Sequence, residues 1–344
     1  MIQTKFCIAC LLLAANLWIT STPAAERPPL ACNATTACEF QLYIENDMLS
    51  GTDRYYTNGI KFGGGVSADP LIERIFQAPA ESVLRSVSKA PGNVEFGLFL
   101  GQNMYTPRNI KTSLPQPLDR PWAAWLYVGG VVQNVEKDRL QTVELDLGMV
   151  GPAAQGKLVQ SEWHKLIDAD QPQGWNNQLR NEPGLLLAYI EKWRYGSSTG
   201  VQAVPHFGIT LGNVMTLARV GGIVRVGQNM SGFGPDTIEP GGAMLQRSRR
   251  SDRQTARDAP EWYVFAGFDG RLVGRNIFLD GNTFVDSASV DRRLLVYDLT
   301  AGFSLRIAPL RISLTHVQRS SEFTTPFGRA AVQRFQSVNV GWEF

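Results

Sequence analysis

The sequence predicts an all-β fold: a twelve-stranded antiparallel transmembrane β-barrel with a helix in a long extracellular loop. Three observations predict it. The chain opens with Lys5, an apolar run from Phe6 to Ile19 and small residues ending at Ala25. That is the pattern of a secretory signal peptide (1–25), leaving 26–344 as one domain. No later segment is apolar enough for a membrane helix, but several alternate strictly: Val143, Leu145, Leu147 and Met149 against Thr142, Glu144, Asp146 and Gly148. A closed barrel hides from hydropathy in this way, because lipid-facing and inward residues take turns along each strand. Finally, Val338, Val340, Trp342 and Phe344 share one face of the last segment, and the chain ends on that Phe. A water-soluble sandwich can alternate too; the leader and the terminal aromatic decide for the barrel.

The elements follow in order. Strand one, 39–48, sends Phe40, Leu42 and Ile44 to lipid and Tyr43, Glu45 and Asp47 inward. Strand two, 56–67, sends Thr57, Gly59 and Lys61 inward. Residues 68–92 carry an amphipathic stretch, expected as helical turns against the barrel end or the membrane surface. Strands three to five are 93–104, 122–135 and 139–150, with Trp125 and Tyr127 available to fill the interior. The long segment 151–182 falls outside the cell, and its centre, 157–167, lacks Gly and Pro and reads as a helix. Strands six to twelve are 183–196, 201–213, 215–228, 261–274, 289–305, 309–320 and 331–344. Short connections at 136–138, 197–200 and 308–309 suit periplasmic turns, whereas 229–260 is longer than a barrel prefers.

Composition narrows the function. The formal net charge of +2 has no basic stripe, so nucleic acid is excluded as a partner. Cys32 and Cys38 survive removal of the leader and can pair as a structural clip in an oxidising compartment. Chemistry concentrates in the first hairpin, where Ile44-Glu45-Asn46-Asp47 and Asp53-Arg54-Tyr55-Tyr56-Thr57-Asn58-Gly59 meet. This brings Asn46, Asp47 and Thr57 to one rim, where a metal or catalytic site could be built. Strict alternation sends Asn46 outward; a bulge at the rim, or a strand ending at Glu45, would re-aim it. Asp47 can equally be a turn carboxylate. Of the three histidines, His206 and His316 read as structural or interfacial. His164 projects from the loop helix beside Gln160 at i−4, a placement open to a general base.

These motifs, with Gln102-Asn103-Met104-Tyr105-Thr106-Pro107, Asp119-Arg120-Pro121-Trp122-Ala123-Ala124-Trp125-Leu126-Tyr127 and Gly148-Met149-Val150-Gly151-Pro152, resemble the lipid A 3′-O-deacylase family of outer-membrane enzymes. The resemblance spans nearly the whole mature chain. It implies calcium-dependent removal of the 3′-linked acyloxyacyl group of lipid A, with lipopolysaccharide as substrate and the site facing the cell exterior. Carried over by position, His164 is the general base; Asp47, with Asn46, holds calcium or orients the base; and Thr57 and Gln160 position groups or bind the oxyanion. Asp170 stands at an acidic position that is Glu in the family and is a second candidate metal ligand. The family's adjacent basic pair is not reproduced; only Arg108 and Lys111 lie nearby as candidates for phosphate or sugar, so that recognition is expected to differ here. The rival readings are a calcium-dependent outer-membrane phospholipase, though His164 sits on a loop helix and no Ser–His pairing is evident, and a non-catalytic pore. Oligomeric state is left open.

Overall fold

The computed structural model describes residues 39–65, 78–87, 93–239 and 259–343. The segment expected as a signal peptide (1–25), Cys32 and Cys38 with their expected pairing, and Phe344 lie outside them. The barrel strands are β1 (Glu39–Asn46), β2 (Tyr55–Gly65), β3 (Asn93–Thr106), β4 (Ala123–Val135), β5 (Arg139–Val150) and β6 (Glu182–Trp193). Then come β7 (Gly200–Gly212), β8 (Met215–Gln228), β9 (Glu261–Asn276), β10 (Leu295–Ile307), β11 (Leu310–Arg319) and β12 (Gln333–Glu343). Each pairs antiparallel with the next, and β12 closes on β1 with Glu39 opposite Glu343 and Ile44 opposite Val338. Closure leaves no strand edge, as lipid requires. Among the described residues three α-helices accompany the strands: α1 (Ala78–Val87), α2 (Gly156–Ile167) and α3 (Ile277–Asp280). Among the described residues no helix is long and apolar enough to cross a membrane.

Alternation sorts the walls as expected. Phe40, Leu100, Val128, Leu147, Val264, Leu314 and Trp342 remain exposed on the outer face. Tyr43, Lys61, Tyr127, Glu144 and Arg319 point inward and are buried. Lys61 pairs with Glu144, and Trp125 stacks on Tyr127 at 4.1 Å. Arg271 and Arg319 share Asp298 at 2.6 and 2.8 Å, and His206 joins the same layer through Asp269 at 3.2 Å. Charges stripped of water are tolerated only in such pairs.

The expectations for the connections are sharpened. Residues 229–239 after β8 thread into the lumen. Ile238 packs on Tyr43, its N–H donates to Glu45 at 2.9 Å, and Glu239 pairs with Arg319 and accepts from the Tyr105 hydroxyl. The long connection is therefore in part a plug, which counts against an open pore. Helix α1 takes the membrane side of its two expected places: Leu84 is fully buried against Phe96, Val132 and Val143, all on the outward face. Strand β10 begins at Leu295, not near 289, because Asp291–Arg292 pairs instead with Phe323–Thr325 in a small sheet above the rim.

Candidate active site

Hairpin β1–β2 supplies the first half of the site. Strand β1 runs to Asn46, and Asn46 points outward, as strict alternation demands. No correction is needed there, because the site lies on the outer wall of the barrel. Thr57 is the residue that departs from alternation. The β2–β3 register slips between Tyr56 and Asn58, so Thr57 occupies a bulge. Expected inward, it instead joins the outward Asn58, Ile60 and Met104 in lining a cleft. Its hydroxyl lies 2.7 Å from that of Thr106.

Asp47 was also expected inward, but it has left the ladder (φ −91°, ψ −10°) and lines the same cleft. Its Oδ2 accepts from the Thr52 hydroxyl and the Arg54 N–H, both at 2.8 Å. Its buried Oδ1 has no hydrogen-bond partner. Burial pushes the Asp47 carboxyl well above the ordinary carboxylate range, and the charge of neighbouring Asp53 adds to the effect. Burial raises the Asp53 carboxyl as well, against the lowering influence of His164.

Helix α2 supplies the second half. It starts directly against the barrel: a Cβ on Gly156 would lie 2.6 Å from the Ala124 methyl and 2.6 Å from the Trp175 ring. The polarity of this helix is inverted relative to one in water. Gln160 and His164 are 2% exposed, whereas Leu158 and Leu166 are 55% and 61% exposed. A soluble protein would bury the leucines; here they border the lipid side of the cleft.

The buried polar pair is held from several directions. The Trp175 indole N–H donates to Gln160 Oε1 at 2.8 Å, and Gln160 Nε2 donates to Asp53 Oδ1 at 3.2 Å. Gln160 thus bridges Trp175 and Asp53 and orients that carboxylate. His164 Nδ1 contacts the backbone carbonyl of Asp170, which fixes the tautomer with the proton on Nδ1. That leaves Nε2 facing Asp53 Oδ2 at 3.3 Å.

The remaining expected residues lie apart. The Asp170 carboxylate pairs with Lys111 at 2.6 Å, two-thirds exposed, and does not line the cleft. Arg108 sits in an exposed turn whose N–H is held by Asp119 at 2.9 Å. Sequence reasoning quoted Asp53 in its motif yet gave it no role, although a carboxylate six residues from Asp47 in one hairpin was the available signal. Trp175 and Thr106 offered no spacing signal at all.

Among the described residues no three His, Cys, Asp or Glu side chains form a metal centre. Asp47 and Asp53 do provide two neighbouring carboxylates, one with an unpartnered buried oxygen. Hard oxygen donors of this kind suit calcium, with carbonyls and water completing the shell.

The cleft between α2 and the outer wall has a volume of about 480 Å³ and is walled by Ile44, Ile60, Met104, Leu158, Val159 and Leu166. The cleft is largely apolar, with a buried His–Asp pair set into one wall.

Comparison with known proteins agrees with this architecture. The family profile described as "Outer membrane protein LpxR" matches residues 6–344. The structure of LpxR from Salmonella typhimurium superposes with a TM-score of 0.69 at 20% identity, covering 89% of this chain and 100% of that one. The β domain of the Bordetella autotransporter BrkA gives 0.43 at 11% identity, over 90% of this chain and 98% of that one. No curated protein matches by sequence.

Proposed function

The chain belongs to the LpxR family of outer-membrane proteins, and from that premise we propose that it hydrolyses the 3′-linked acyloxyacyl ester of lipid A in the outer leaflet. The carrying observation is the position of His164: buried, Nε2 toward Asp53, on a helix whose exposed leucines border an apolar cleft on the lipid-facing wall. Substrate acyl chains reach such a cleft by sliding within the leaflet, without passing through water.

In this reading His164 Nε2 takes a proton from water as the water oxygen attacks the ester carbonyl. Asp53 stabilises the imidazolium that forms, and the Asp170 carbonyl holds Nδ1–H throughout. Asn46 Oδ1 accepts from the Met48 N–H at 2.8 Å, which leaves its NH2 group, with the Thr57 hydroxyl, to bind the developing oxyanion. Collapse of the tetrahedral intermediate breaks the bond to the sugar oxygen, and His164 returns the proton to that alkoxide. When bound, calcium supplies Lewis-acid polarisation of the carbonyl, and Asp47 with Asp53 are the residues that would hold it.

Among the described residues neither His164 ring nitrogen meets a serine hydroxyl, as a Ser–His phospholipase would require. Purified protein incubated separately with lipid A and with phospholipid tests the reading. Release of the 3′-linked group from lipid A is expected; acyl release from phospholipid alone would overturn it.

A further inference from the structure

A second and larger cavity, about 920 Å³, opens on the far side of α2, between the β3–β4, β5–β6 and β9–β10 loops at the extracellular end. Helix α2 is the shared wall. Lys157 lines this vestibule, while the next residues, Leu158, Val159 and Gln160, line the acyl cleft. Five of the lining residues are prolines, so the backbone frame is preformed.

The vestibule presents buried polar atoms that the protein leaves unused. Arg120 is 0% exposed and pinned by Glu322 at 2.7 Å through Nη1, with Tyr105 under its guanidinium at 4.6 Å. Its Nε and Nη2 have no partner. The indole N–H of Trp122, 2% exposed, also lacks one, as does Gln178 Oε1. Unsatisfied buried donors and acceptors are costly and call for a polar occupant. The donors of Arg120 and Trp122 need acceptors, and Gln178 needs a hydroxyl. Lys157 and Arg180 outnumber Asp286 at the mouth, so the field favours an anion. A sugar chain bearing phosphate or carboxylate meets all three demands.

We propose that the vestibule is a subsite for the anionic core oligosaccharide of the same lipopolysaccharide molecule whose acyl chains occupy the outer cleft. The assignment rests on the deacylase reading for its source, and on the cavity's own chemistry for its ligand. It makes α2 a divider, with lipid on one side and saccharide on the other.

Two measurements test it. Folded full-length protein in detergent is titrated with lipid-free core oligosaccharide and with a neutral maltooligosaccharide, followed by tryptophan fluorescence. Saturable binding of the anionic chain alone is expected, weakened about tenfold in Lys157→Ala/Arg180→Ala and largely restored in Lys157→Arg/Arg180→Lys. No binding, or equal binding by the alanine variant, would overturn the subsite. In the second, the alanine variant should lose about tenfold in kcat/KM on core-bearing lipopolysaccharide and nothing on free lipid A. Equal loss on both substrates would overturn it too. If the wild type cleaves neither substrate, the deacylase reading fails while the titration still decides the subsite.

Discussion

Replacing Asp53 by Asn probes the electrostatic heart of the site. The substitution keeps the side chain's shape and its acceptor for Gln160 Nε2, 3.2 Å away, but removes the charge beside His164. At the observed 3.3 Å, an imidazolium and a carboxylate attract by about 1 kcal/mol at the dielectric of water and about 5 kcal/mol at the effective value of 20 found near protein surfaces. The partial burial of this pair places the loss between those bounds, so kcat should fall between about tenfold and a few thousandfold. The assay is the initial rate of 3′-acyl release from lipid A in mixed micelles, with heat-modifiable migration of the barrel confirming that the variant is folded. A folded Asp53→Asn protein with the wild-type rate would refute the pairing of Asp53 with the developing imidazolium.

Three further outcomes follow from the same geometry. Chelation should abolish activity and added calcium restore it, with Asp47→Asn needing at least about tenfold more calcium; activity indifferent to chelator would remove the metal from the account. Gly156→Leu must push α2 off Ala124 and Trp175, an overpacking cost of about 1–3 kcal/mol. The barrel should still fold while activity drops at least tenfold, and full activity would show that α2 docking is not needed. In planar bilayers the protein should pass no steady current, because Glu239, Ile238 and the arginine–carboxylate layer fill the lumen; a persistent ohmic conductance would contradict the plug.

The barrel was legible because its rule is local. A period of two, sustained through segments such as 143–149 and 338–342, needs no knowledge of what lies opposite. The site was legible residue by residue only where that rule continued to hold. Asn46 looked misplaced because a functional residue was assumed to face inward; the alternation was right and the assumption wrong, since the cleft is on the outside. Thr57 and Asp47 escaped the rule for different reasons. A bulge shifts the first by one residue, and the second sits just past the strand, where turn hydrogen bonds from Thr52 and Arg54 set its direction.

Asp170 shows a further limit. Its backbone carbonyl, not its carboxylate, reaches His164, and no sequence pattern distinguishes those two uses of one residue. The insertion of 229–239 depends on lumen partners contributed by strands far away in sequence, Glu45 and Arg319 among them. Such long-range pairing leaves no periodic trace.

The central claim is that His164, on the outer wall, cleaves an acyl ester of lipid A. Mass spectra of lipid A from cells expressing the wild type or His164→Ala at matched barrel levels test it most directly. The wild type should yield lipid A lighter by one acyloxyacyl group, and the variant should leave it at full mass. Identical spectra from the two strains would contradict the account.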